Sequence, residues 1–408
     1  MKVLILATDV FTRGGIARYT STLASSLGNL VGSENVDVLC FFDWGHAGDV
    51  PANFRLLGSV SSHKNATLLP RLRFLAKAWS AGSRGYDLVI ANHVALAPVA
   101  ALLNRVFGIP YWVACHSIEI WWGTTRARHA ALQRADLILP VSRYTAEIVE
   151  QMSGIDSSRV KLLYNAIPDS LTLALSAKLP APPAKRAPML LSVTALVRGN
   201  EFKGIDTVLE ALPRVLKTVP DLQYVVAGEG ELRSKLESLA VKAGVAANVR
   251  FLGEVSDAEL IALYRQCDVF VLPSRGQELR GAIGGEGFGR VYVEAALAGK
   301  PVIGSSCGGA AEAVLDGVTG LLVNPQWSDD VADAVLALVT DRERATAMGA
   351  AGRKWALEMF SQQALSESLQ RFLQPYGLES SNLPKLAHAG ARPQRDNSPV
   401  SQPVNEVM

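Results

Sequence analysis

The chain has 408 residues, too long for one ordinary core and natural for two of about 150 to 200 residues each. Hydrophobic residues make up 49% and aromatic ones 7%, an aliphatic bias suited to buried parallel strands, and the formal net charge of +2 argues against a nucleic-acid coat. Cys40, Cys115, Cys267 and Cys307 form no C-x-x-C pair, so neither a disulfide framework nor a zinc site is indicated, and a reducing cytoplasm fits.

The apolar start, Met1 to Ala7, is short and soon followed by Asp9 and Arg13, so it reads as a first strand over Val3 to Ala7 rather than a signal segment. No window reaches the length of a transmembrane helix. A loop from Asp9 to Gly15 ends in Gly14-Gly15, and Ile16, Tyr19, Leu23 and Leu27 then mark a helix that Gly28 is expected to stop. The loop is not G-x-G-x-x-G, and the next apolar run, Asn35 to Phe42, offers only Asp43 to a dinucleotide ribose. A simple phosphate loop is therefore preferred to a dinucleotide site.

From Leu68 to Ala81, Leu69, Leu72, Leu75, Ala76 and Trp79 interleave with Arg71, Arg73 and Lys77. Such a basic amphipathic helix can lie on anionic lipid or pack on a sheet, and the pattern fits both. Tyr86 to Asn92 and Pro110 to His116 are further strands, whose ends present His93 and His116 where ligands bind parallel sheets. His116 carries more weight, because the polar Ser117 and Glu119 follow it. Ser142 is placed to cap a helix starting near Tyr144, and Lys161 to Pro168 is expected to be the last strand of this half.

A proline- and alanine-rich stretch, residues 176 to 188, reads as a linker between a first domain (1 to 175) and a second (189 to 358). The second restarts with a strand at Met189 to Val193 and alternates helix and strand, which implies a doubly wound parallel sheet. Arg198 and Lys203 lie on the loop after its first strand, where they can neutralise phosphate charge; Gly228-Glu229-Gly230 ends the next strand and looks first like a turn. The apolar run Asp268 to Ser274 then leads through a glycine-rich loop into a helix that Gly299 and Pro301 end. Glu286 sits in that loop and Glu294 about two helical turns later. An anion at the helix start would lie between these carboxylates, which suits a diphosphate with a sugar at either end. In isolation the pair would be two surface acids around an ordinary helix start.

Taken together, Gly14-Gly15, Arg198 with Lys203-Gly204, Gly228-Glu229-Gly230, and Glu286-Gly287-Phe288-Gly289 with Glu294 resemble the family-4 retaining glycosyltransferases of the GT-B fold, over roughly residues 1 to 375. The resemblance implies two Rossmann-like α/β domains facing across a cleft, the first binding acceptor and the second the nucleotide sugar. It also implies a helix over residues 359 to 375 that crosses back to the first domain. By analogy, Arg198 and Lys203 bind the diphosphate and Glu294 the ribose hydroxyls. Glu286 with the Phe288 and Gly289 amides holds the donor sugar, His116 contacts that sugar from the cleft, and Gly15 lies near the phosphates. Glu286 is taken as a sugar-binding group, not a double-displacement nucleophile. The insertion Arg275 to Gly285 looks closer to mannosyltransferases acting on lipid-like acceptors, and so favours GDP-mannose over a UDP-sugar such as UDP-glucose.

Fixed cations at the leaving phosphate lower the barrier to transfer, and no D-x-D triplet is present to hold a divalent metal, so a metal-independent reaction without cofactor is expected. The expected activity is retaining transfer of a mannose- or glucose-type hexose to a polysaccharide or glycolipid precursor, as in exopolysaccharide or lipopolysaccharide synthesis. The expected setting is cytoplasmic, peripheral on the inner face of the membrane through residues 68 to 81. A sugar-nucleotide epimerase of the same fold and a noncatalytic nucleotide-sugar-binding module are the alternatives. From Gly377 onward Pro, Ser, Asn and Ala dominate, and residues 376 to 408 are expected to be a disordered tail.

Overall fold

A computed structural model describes residues 1–10, 14–42, 53–61, 68–121, 123–177, 186–279 and 282–377. The expected linker falls mostly, and the tail almost wholly, outside these residues, as does Asp43.

The first half runs β1 (Val3–Ala7), α1 (Gly15–Val31), β2 (Val36–Cys40), β3 (Arg55–Gly58), α2 (Leu68–Gly82), β4 (Leu88–Ala91) and α3 (Ala97–Phe107). It continues with β5 (Tyr111–Cys115), α4 (Ile118–Trp121), α5 (Arg126–Arg134), β6 (Leu137–Pro140), α6 (Arg143–Glu150) and α7 (Asp169–Ser176). Its six strands pair in the order β3-β2-β1-β4-β5-β6, all parallel. Every residue of β1, β2, β4 and β5 is buried, as apolar strands covered on both faces must be.

The second half repeats the plan with β7 (Met189–Val193), α8 (Ile205–Thr218), β8 (Gln223–Ala227), α9 (Arg233–Lys242), β9 (Val249–Gly253), α10 (Asp257–Gln266) and β10 (Val269–Val271). A hairpin of β11 (Gln277–Leu279) and β12 (Ala282–Gly284) follows, then α11 (Arg290–Leu297), β13 (Val302–Ser305), α12 (Ala310–Ala313), β14 (Gly320–Val323), α13 (Ser328–Val339), α14 (Arg342–Phe360) and α15 (Gln362–Leu373). The second parallel sheet is ordered β14-β13-β10-β7-β8-β9, the doubly wound order of the first. In each sheet the order reverses beside the first strand, which places a ligand crevice at the carboxyl ends of β1 and β7.

Three expectations change. Gly28 lies inside α1, which runs on to Gly32 (φ 91°); a Cβ at Gly28 would meet the Asn53 carbonyl oxygen, so the glycine there serves close packing, not termination. Lys161 to Pro168 is not a sheet strand. It is an extended segment whose Lys161 and Leu163 amides donate to Ile138 and Pro140 at the edge of β6, before it turns to bridge Ile167 with Ser361. The crossing helix starts after Ser361, whose hydroxyl caps α15, and that helix packs on α1. Just beyond α15, Trp112 Nε1 of β5 donates to Tyr376 Oη at 3.1 Å.

One apolar core runs through both halves. It links Ile5, Leu23 and Leu27 through Ile167 and Leu175 to Val293, Phe360 and Leu369, and on to the second sheet. A separate core, with Phe74, Val89 and Trp121, fills the other face of the first sheet.

Candidate active site

The glycine-rich loop between β12 and α11 is held in place at several points. Gly309 N donates to Glu286 O at 2.9 Å, and Phe288 is 2% exposed, packed edge-to-face on Phe360 and tilted against Tyr164. Gly289 has φ 82°, and a Cβ there would run into the Tyr292 ring, so only glycine makes this turn into α11. Among the described residues no acceptor takes the Phe288 or Gly289 amide. Gly287 packs so closely on the end of β5 that a Cβ would stand 2.8 Å from His116 O and 2.9 Å from Ser117 Cβ. The second half's loop and the first half's strand end thus form one wall.

Lys203 and Glu286 meet on this wall, Nζ to Oε2 at 2.5 Å, with side chains 17% and 12% exposed. Lys203 follows Asn200 in a short 3-10 turn, and Gly204 (φ 76°) sends the chain on into α8. Arg198 is exposed and has no hydrogen-bond or ion-pair partner among the described residues. Its loop rests on the Gly228-Glu229-Gly230 turn, where Leu196 N donates to Glu229 O at 2.9 Å. The Glu229 carboxylate is taken by Arg233 Nη1 at 2.9 Å, on the β9 side of the turn.

His116 is buried. Its Nε2 lies 2.9 Å from Asn92 O and its ring stands edge-on to Tyr19. Glu119 accepts from the His116 and Ser117 amides at 2.6 and 3.1 Å, which closes the turn after β5. Burial would raise the Glu119 pKa, but His116, His93 and the backbone amides of His116 and Glu119 outweigh it and hold the carboxyl below its usual range. His93 accepts from Ala95 N through Nδ1 at 3.0 Å, and burial pushes its pKa down to about 4.

At the other end of the wall, α1 begins at Gly14-Gly15 with no side-chain cap among the described residues, so the positive end of a 17-residue helix lies at this end of the wall. Gly15 faces Arg290: a Cβ on it would sit 3.9 Å from Arg290 Cδ. Arg290 is the first residue of α11 and Glu294 lies one turn later on the same face. Both are buried, and burial lowers the Arg290 pKa. Tyr264 Oη of α10 donates to Glu294 Oε2 at 2.9 Å. Ser256 and Glu259 form a capping box at the start of α10, a device worth about 1 kcal/mol that fixes the helix presenting Tyr264 and Asp257. Arg18 of α1 crosses to Asp257 at 2.9 Å.

The structure therefore gathers Lys203, Glu286, Gly287 and His116 at one end, and Gly14, Gly15 and Glu294 at the other. It leaves Arg198 exposed on its loop and turns the Glu229 carboxylate aside to Arg233. Sequence reading missed Arg18, Tyr264, Arg290 and the capping acid Glu312, which accepts from the Arg143 and Tyr144 amides at 2.8 and 2.9 Å across the cleft. Only Arg290 carried a local signal, four residues before Glu294. Among the described residues no group of three or more His, Cys, Asp and Glu side chains is placed to hold a metal ion.

Two family models match the chain: Glycosyltransferase Family 4 over residues 13–171 and Glycosyl transferases group 1 over residues 180–355. The chain is similar to the GDP-mannose-dependent alpha-(1-6)-phosphatidylinositol monomannoside mannosyltransferase of Mycobacterium tuberculosis. The two are 33% identical over 391 residues, covering 91% of this chain and 98% of the relative. The enzyme of the same name from Mycolicibacterium smegmatis is 32% identical over 376 residues, 87% of this chain and 94% of the relative. In fold it resembles Anabaena HepE solved with UDP and glucose, with a TM-score of 0.73 at 21% identity, covering 92% of this chain and 100% of that one. The sucrose-phosphate synthase of Thermosynechococcus elongatus gives a TM-score of 0.74 at 20% identity, with 92% and 99% covered.

Proposed function

The chain belongs to the group 1 and family 4 glycosyltransferases, and from that premise we infer that it transfers mannose from GDP-mannose to a lipid-linked acceptor. Hexosyl transfer from a nucleotide sugar to a glycolipid or glycan precursor is the activity; the mannosyl donor and lipid acceptor follow the named relatives. The observation that carries the reading is the single wall on which Lys203–Glu286, the His116 turn and the Gly14-Gly15 helix start converge.

The diphosphate lies against the start of α1 and within reach of Lys203 and Arg198. Lys203 has three N–H donors and commits one to Glu286, which leaves two for phosphate oxygens. As the sugar–phosphate bond lengthens, negative charge grows on the leaving phosphate, and these fixed donors stabilise it by more in the transition state than before. Glu286, the Phe288 and Gly289 amides and His116 hold the hexose, whose anomeric carbon becomes positive as the bond breaks. The acceptor hydroxyl attacks from the face the phosphate leaves and passes its proton to the departing phosphate oxygen, giving retention, and Lys203 and Arg198 carry the charge compensation without a divalent ion. Glu294 binds the ribose.

The acceptor reaches the site from a membrane surface. In α2 the helix buries Phe74, Ala78 and Ala81 against the sheet and exposes Leu68, Leu69, Leu72 and Trp79 beside Arg71 and Arg73. An apolar stripe next to arginines that have no ion-pair partner among the described residues suits the interface of an anionic bilayer. No helix among the described residues is long and apolar enough to cross a membrane.

Incubating the protein with GDP-mannose and a phosphatidylinositol-type lipid tests this reading. An α-mannosylated lipid formed at the same rate in excess EDTA is expected; a β-linked product, or activity abolished by EDTA and restored by a divalent ion, contradicts it.

A further inference from the structure

Glu294 Oε1 has two guanidinium groups beside it and bonds to neither. Arg18 Nη1 stands 4.0 Å away and Arg290 Nη2 3.9 Å away, both beyond hydrogen-bond reach. Arg290 is 8% exposed, and its two arms differ. Nη1 donates to Ala166 O at 2.8 Å, whereas Nη2 is buried with no hydrogen-bond partner among the described residues. A buried N–H of a charged group left without an acceptor is costly, so this arm calls for one.

The neighbours cannot supply it cheaply. Tyr264 holds the other oxygen of Glu294, and swinging the carboxylate toward Arg290 would strain that bond. Asp257 holds Nη2 of Arg18. What fits between Arg290 Nη2 and Glu294 Oε1 is an atom that accepts from one and donates to the other. A phosphate oxygen accepts, but Glu294 repels it; an ammonium donates, but two guanidiniums repel it. A hydroxyl does both. Glu286, the sugar-holding carboxylate, is at the far end of the loop, so the hydroxyl beside Glu294 belongs to the ribose.

We propose that Arg290 is a ribose-binding residue of the donor site, its Nη2 donating to a ribose hydroxyl that in turn donates to Glu294 Oε1, with Arg18 facing the same diol from α1. This rests on the donor-site reading above. It divides the side chain in two: one arm ties α11 to the segment around Ala166, and the other is kept for the nucleotide.

Arg290→Lys separates the two roles, because a single ammonium can serve Ala166 but cannot also reach the ribose. Calorimetric titration of the full chain with GDP and with 2′,3′-dideoxy-GDP is the test, alongside the melting temperature of the free protein. The parent should bind GDP about 10-fold or more tighter than the dideoxy form. Arg290→Lys should weaken GDP by about the same factor, leave the dideoxy form unchanged and melt with the parent. Arg18→Gln, a second variant nearer the surface, should show the same selective loss. Weakening of both nucleotides alike, or of neither, overturns the proposal, as does a parent that binds both equally. A parent that binds neither GDP nor UDP would instead show that the donor-site reading itself has failed.

Discussion

Lys203 Nζ and Glu286 Oε2 lie 2.5 Å apart, joining the loop after β7 to the loop before α11. Their charges hold each other in place before any ligand arrives, so the two roles assigned to the pair can be separated by mutation. Glu286→Gln keeps a hydrogen-bond acceptor for Lys203 but weakens the grip on the hexose. The expected result is a fall in kcat of about 10²- to 10³-fold with GDP affinity within about threefold of the parent. A large loss of GDP affinity at unchanged kcat would move Glu286 to the nucleotide end.

Glu312 caps the start of α6 from the opposite half, and its cap is a bond between the two halves of the cleft. Its removal should cost about 1 kcal/mol, the usual worth of such a cap, and should loosen the closed arrangement. Glu312→Ala is expected to raise KM for donor and to increase the radius of gyration of the free protein. The check is steady-state kinetics with small-angle scattering of the free protein: unchanged KM and an unchanged radius of gyration would show that this bond does not hold the halves together.

His93 gives a pH dependence with a definite sign. Its folded pKa, about 4, lies below the ordinary histidine value of 6.5, because burial disfavours the imidazolium; Glu119 opposes this, while His116 and Arg128 add to it. Between those two values the unfolded chain binds more protons, so stability falls as pH drops from 6.5 towards 4. Protonation also removes the Nδ1 lone pair that accepts from Ala95 N. Glu119, with its lowered pKa, loses stability in the same direction. Melting temperature should therefore decline across this window, and His93→Asn should flatten the decline. An equally steep decline in the variant would assign the pH dependence to other groups.

For α2, the structure narrows which cations matter. Lys77 Nζ donates to Ser59 O at 3.1 Å, while Arg71 and Arg73 are exposed beside Leu69 and Leu72. Pelleting with vesicles containing phosphatidylglycerol should be lost in Arg71→Glu/Arg73→Glu and largely kept in Lys77→Gln. Parent protein that fails to pellet, or a double variant that pellets as the parent does, would remove the membrane from the account.

The strands were legible where burial on both faces forces an unbroken apolar run, as in β1, β4, β5, β7 and β8. The edge strand β3 opens on an exposed arginine and is only partly covered, while β14 is apolar throughout but short and half-buried in its middle; sequence reading passed over both. It also passed over α3, whose apolar positions extend around much of the helix, and β13. Gly28 misled because a helix stop and a close backbone contact call for the same residue; only the Asn53 carbonyl above it tells them apart. In the site, Lys203 was legible from its loop after β7, and Glu286 and Glu294, which by spacing alone read as two surface acids, from the family resemblance. Arg18, Tyr264 and Glu312 did not, because each acts on a partner brought to it by the fold: Asp257, Glu294 and the α6 amides.

The central claim is that a nucleotide sugar binds between Lys203 and Glu294, and calorimetric titration of GDP-mannose tests it most directly. Parent protein should bind, and Lys203→Ala and Glu294→Gln should each weaken binding by about 10-fold or more, the second without loss of fold because glutamine still accepts from Tyr264. Affinity unchanged in both variants would contradict the account.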